Sequence, residues 1–167
     1  MTGKKLVLAL ATLSTGLVAG VYYGFSVAVN PAFARLPDGQ YIRAMQEIND
    51  AIQNPFFAAS FFGAPLLLLL ATGLYARRPR GRQLGLVLAA TLVFGVGSLG
   101  VTVGGNIPLN EQLASYKPGA ATSAATIRQQ FAPPWNRWHQ VRTVASVVAL
   151  ALLLGACLTP DAAAKPA

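Results

Sequence analysis

The sequence predicts an all-α integral membrane protein: a four-helix bundle with a short amphipathic helix between its first and second spans. Three observations lead there. Of the 167 residues, 54% are hydrophobic and only 11% charged, less than half the roughly 25% charge of a soluble domain. The few charges cluster, leaving four apolar stretches near the ~20 residues that cross a bilayer as a helix. A lone cysteine, Cys157, closes no intrachain bridge, and the apolar content is too high for disorder, so a disulfide scaffold, a soluble enzyme and a disordered tail are all excluded. The net charge of +8 would suit nucleic acid in sum. Its distribution fits membrane orientation instead, so the expected partner is the lipid bilayer and no nucleic acid.

The elements follow in order along one transmembrane domain, residues 1–167. Span 1, about residues 6–29, opens after Lys4 and Lys5 like a signal peptide, but its apolar run is longer than a roughly 15-residue signal core, so it reads as a retained anchor. Between Asp38 and Asn54, Tyr41, Ile42, Met45, Ile48 and Ile52 recur at helical spacing, which predicts the amphipathic helix lying over the bundle mouth. Asn54-Pro55 then supplies a cap and a first-turn proline for span 2, about 56–75. Span 3 covers about 84–104. Span 4 covers about 141–158, and Pro133-Pro134 is predicted to stop any helix before it. Four spans put both termini on one side. The short hairpin bearing Arg77, Arg78, Arg80 and Arg82 makes that side the cytoplasm, with the protein multi-pass in the cell membrane.

Gly24-x-Ser26-Val27-x-x-Asn30 at the end of span 1 is matched by Gly100-x-Thr102-Val103-x-x-Asn106 at the end of span 3. Chance and a duplicated helical hairpin explain this equally well. Gly16, Gly20 and Gly24 form a small-residue stripe that serves close helix approach inside the bundle or between copies, so a homo-oligomer is left open.

Hydrogen-bonding side chains gather at the end remote from the termini. Asn30, Asn106, Asn110, Trp135, Trp138, His139 and Arg142 all map there, and the last four share one face of a helix. Each has a plain alternative. The two tryptophans suit an interfacial belt, Arg142 a clamp to Glu111 or Asp50, the asparagines helix caps, and His139 an interfacial hydrogen bond. Taken together, an imidazole one turn from a guanidinium, walled by indoles and faced by amides, composes a pocket for a flat, partly polar, hydrophobic small molecule. No metal site is expected, since one histidine and one cysteine cannot supply metal-ligand spacing, and no nucleotide-binding glycine motif appears. A cofactor is unassigned. The alternatives are none at all and, first to test, a haem held by His139.

Four groups of residues, Phe25-Ser26-Val27-Ala28-Val29-Asn30-Pro31, Met45-Gln46-x-Ile48-Asn49 with Asn54-Pro55-Phe56, Asn106-Ile107-Pro108-Leu109-Asn110, and Trp135-x-x-Trp138-His139-x-x-Arg142-Thr143, resemble the anthrone oxygenase-like family of small membrane proteins. The resemblance implies an oxygenase or oxidase of planar phenolic or quinone-like substrates that uses dioxygen. It implies His139 as general base, Arg142 with the amides of Asn106 and Asn110 around a developing oxyanion, Trp135 and Trp138 stacked on the substrate, and Asn30 among the substrate-binding residues. The alternative is a non-catalytic membrane protein that binds a lipid-soluble ligand such as haem or quinone.

Overall fold

A computed structural model describes residues 3–77, 81–117 and 122–160. Arg78, Arg80, Lys165 and residues 118–121 lie outside the described residues. Among those described, every regular element is helical: α1 (Gly3–Gly24), a π-helical turn π1 (Phe25–Val29), α2 (Asn30–Phe33), α3 (Asp38–Ala51), α4 (Pro55–Ala76), α5 (Arg82–Phe94), π2 (Gly95–Gly100), π3 (Thr102–Asn106), α6 (Ile107–Ala114) and α7 (Ala124–Leu158). Four continuous helical stretches, Gly3–Phe33, Pro55–Ala76, Arg82–Ala114 and Ala124–Leu158, are long and apolar enough to cross a membrane. The protein is an all-α membrane helical bundle.

Local chemistry sets these elements. The Asn54 side-chain oxygen accepts from the N–H groups of Phe56 and Phe57 at 3.1 and 3.0 Å, satisfying two of the free donors at the start of α4, while Pro55 occupies the first helical position. α3 buries Tyr41, Ile42 and Met45 and exposes its polar face, as its periodicity requires.

One expectation fails and another is extended. Pro133-Pro134 do not stop the helix that leads into the fourth span, and helix continues past Gly104, near which the third span was expected to end. Helix runs on to Ala114 in one case and begins at Ala124 in the other. The segment of α7 before its prolines is held from outside, with Phe131 buried at 4% exposure and Arg128 donating to Leu36 O and to Asp38 Oδ1. Such contacts offset the roughly 3 kcal/mol that an interior proline costs a helix. In the third span the chain widens instead. Ile107 N–H reaches back five residues to Thr102 O, immediately before Pro108. In span 1, Asn30 N–H reaches Phe25 O, immediately before Pro31. A proline ring collides with the carbonyl four residues back, and a π turn moves that carbonyl aside. The two matched motifs of spans 1 and 3 thus share a backbone device as well as a residue pattern.

α1 packs against α4 and α7, and α5 against α7 and α4. The α5–α7 side is close. A Cβ on Gly97 would come 2.6 Å from the Cβ of Ala145, so only glycine fits. Ser146 donates to Ser98 Oγ at 2.9 Å, and Thr72 and Thr91 hydroxyls meet at 2.8 Å between α4 and α5. One apolar cluster fills the bundle nearer the termini, including Val18, Leu68, Val87, Phe94 and Leu153. A second, comprising Tyr41, Ile42, Met45, Leu113, Phe131 and Trp135, forms a cap at the distal end, opposite the termini. The candidate functional site lies between the two.

Candidate functional site

Arg142 projects from α7 into the space between bundle and cap, and its neighbours are all uncharged. Its Nε and Nη2 reach His139 Nδ1 at 3.2 and 3.0 Å, and Nη1 reaches Thr102 Oγ1 at 3.4 Å. The guanidinium carbon stands 4.2 Å over the Tyr22 ring and 5.3 Å from the Trp135 ring. Among the described residues no carboxylate lies within ion-pair distance of it, so the clamp to Glu111 or Asp50 is absent. A guanidinium keeps its charge and offers five donors in a fixed fork. Here part of that fork is left for something else.

His139 is 1% exposed and fully engaged. Its Nε2 lies 3.2 Å from Tyr22 O and 3.0 Å from Ser26 Oγ. A carbonyl can only accept, so Nε2 carries the proton and Nδ1 is the lone-pair nitrogen that receives Arg142. The ring stacks on Trp135 at 4.9 Å and 11°. Neither nitrogen is free in this arrangement to take a proton from a ligand or to ligate a haem iron. Tyr22 OH closes the circuit with Thr102 Oγ1 at 3.3 Å, and Thr143 Oγ1 meets Ser26 Oγ at 3.2 Å.

A cavity of about 770 Å³ opens beside this network, bounded by α1, α3, α4, α6 and α7. Arg142, His139, Trp135 and Asn110 line its polar wall, Phe57 and Phe61 its apolar wall, and Asp50 and Glu111 its distal rim. Trp135 Nε1 donates to Asn110 Oδ1 at 2.7 Å, which leaves the Asn110 Nδ2 donors for a ligand. A second, polar recess of about 280 Å³ adjoins it and shares Asn49, Asp50, Asn110 and Ala114.

Of the sequence-derived candidates, Asn110, Trp135, His139 and Arg142 meet at this cavity. Three do not. Asn106 is buried behind the wall, donating through Nδ2 to Trp135 O at 3.2 Å, with its Oδ1 buried and unpartnered. Trp138, 41% exposed, packs over Gly105, where a Cβ would come within 2.7 Å of the indole. Asn30 does not reach the cavity wall. Tyr22 escaped the sequence reading, although its place one turn before Ser26 in span 1 extends the same polar stripe.

A family model described as anthrone oxygenase matches residues 54–152, more than half of the chain. The chain belongs to the anthrone oxygenase family. The matched stretch takes in the whole cavity-facing set on α4, α6 and α7, while Tyr22 and Ser26 precede it. No curated protein and no solved structure matches the chain. Among the described residues no group of three or more His, Cys, Asp or Glu side chains could hold a metal ion.

Proposed function

We propose that the protein oxidises planar, lipid-soluble phenolic ketones of the anthrone type with dioxygen. The observation that carries this reading is Arg142, a cation in an apolar-walled cavity with no carboxylate beside it. A fixed charge in such a place costs desolvation unless an anion completes it. An anthrone meets that need, because loss of a proton from its ring methylene leaves an extended oxyanion. Arg142 and Asn110 Nδ2 hold the oxygen and favour the ionised form. The electron-rich anion reduces dioxygen. The methylene becomes a carbonyl with one oxygen atom, and the other leaves as water with the two hydrogens.

The cavity volume falls in the usual range for small-molecule sites, about 300–1,000 Å³, and Phe57, Phe61 and Trp135 offer flat apolar contacts. His139 positions Arg142 rather than serving as general base, because both ring nitrogens are engaged. The carboxylates on the rim, Asp50 and Glu111, are the acceptors for the released proton. Both termini lie in the cytoplasm and the cavity faces the opposite side, since the sequence puts Arg77, Arg78, Arg80 and Arg82 in the short link between the second and third spans.

The test is oxygen uptake by the protein in lipid nanodiscs supplied with 1,8-dihydroxyanthrone. One dioxygen should be consumed per anthrone, and Arg142→Gln should lower the rate by about 100-fold or more. Uptake that is unchanged in Arg142→Gln would remove the oxyanion role.

A further inference from the structure

The geometry points to a sideways route into the cavity: the ligand passes from the distal leaflet of the bilayer through a gap between α4 and the distal half of the third span. This rests on the lipid-soluble substrate proposed above. Near the termini the two helices are joined, Thr72 to Thr91 at 2.8 Å. Toward the distal end they part, and α4 makes no more than marginal contact with π3 or α6. Phe62, further up α4, is 59% exposed beside that parting.

The parting is one-sided. Through π2 and π3 the third span keeps its packing on α7, where Gly105 lets Trp138 in and Asn106 bonds the Trp135 carbonyl, while its contact with α4 lapses. Ala58, Phe62 and Ile107 all line the cavity, and Phe62 and Ile107, at 59% and 39% exposure, also face outward. The cavity therefore opens on the apolar outer face of the bundle, the face a bilayer covers. The polar recess beside Gln46, Glu47 and Tyr116 adjoins it on the other side, is smaller at about 280 Å³, and is lined by groups that a flat apolar molecule would have to desolvate. A ligand that partitions into lipid meets the first opening at high local concentration and the second hardly at all.

The experiment follows quenching of tryptophan fluorescence by 1,8-dihydroxyanthraquinone in a stopped-flow instrument, with the protein in lipid nanodiscs. Ala58→Leu and Ile107→Phe, which narrow the gap, should slow association about tenfold while the dissociation constant stays within about twofold, because a route affects both rates equally. Phe62→Ala, which widens it, should speed association about threefold. Misfolding cannot produce shifts of opposite sign. Glu47→Phe, which fills the polar recess, should leave the rate unchanged. Slowing by Glu47→Phe alone, or equal rates in all four variants, overturns the sideways route while the oxygen-uptake test stands. A wild-type protein that shows no quenching overturns both readings.

Discussion

At the residue scale the pairing of His139 with Arg142 decides which chemistry is open. An imidazole that donates to the Tyr22 carbonyl through Nε2 and accepts from Arg142 through Nδ1 is a strut. Its replacement should therefore be judged by whether an acceptor remains for the guanidinium. Asparagine places an amide oxygen near the position of Nδ1, and leucine places nothing. We expect His139→Asn to keep turnover within about fivefold of wild type and His139→Leu to lose about 100-fold, measured by oxygen uptake. Equal losses of about 100-fold in both would instead be the signature of a lost general base. The sequence displayed His139 and Arg142 as neighbours on one helical face but could not say which nitrogen met which partner. Tyr22 and Ser26, more than a hundred positions away, supply that answer. The same limit hid Asn106 and Trp138. Both carry polar atoms and both sit at the right depth, yet helix rotation turns one into the wall and the other outward.

At the scale of elements, what was legible was periodicity, and what was not was how proline is accommodated. The amphipathic α3 and the Asn54 cap follow from local pattern, because a few adjacent residues determine them. The continuation of span 3 to Ala114 does not, since Pro108 reads as a helix stop unless the turn before it is known to widen. That turn has a consequence for the cavity. One extra residue per turn rotates everything beyond it by about 100° relative to an uninterrupted helix, and beyond it lie Ile107, Asn110 and Glu111, all on the cavity wall. Pro108→Ala restores an N–H able to bond the Gly104 carbonyl, so the π turn can relax to α-helix. The expected outcome is a protein no less stable to heat whose binding of 1,8-dihydroxyanthraquinone weakens about tenfold, as Asn110 turns away from the cavity wall. Unchanged binding would mean that α6 is aimed by its packing against α3 and α7 and owes nothing to the proline.

At the scale of the whole molecule the bundle and the distal cap are separate packed units, and the cap has its own pH limit. Arg128 latches it, donating to Leu36 O at 2.7 Å and Asp38 Oδ1 at 2.9 Å while its guanidinium covers the Tyr41 ring at 4.4 Å. Beneath it Tyr41 is 4% exposed, with a hydroxyl that has no hydrogen-bond partner. Burial pushes the Tyr41 phenol up to about 12 from its ordinary 10, against the pull of the Arg128 charge. A raised phenol holds its proton in the closed cap after an opened cap would have lost it. Cap stability is therefore intact below pH 10 and falls as pH rises toward 12, by about 2 to 3 kcal/mol in all. Trp135 reports the event, since it belongs to the same cluster. In a Trp138→Phe background, its emission should shift to the red between pH 10 and 12, with ligand binding lost in parallel, while the helical signal of the spans persists. Tyr41→Phe keeps the ring under Arg128 and deletes both the titration and an unpaired buried hydroxyl. Its cap should be more stable by about 1 kcal/mol at neutral pH and indifferent to the alkaline change. If the red shift survives in Tyr41→Phe, the limit lies with another group and the phenol does not govern the cap.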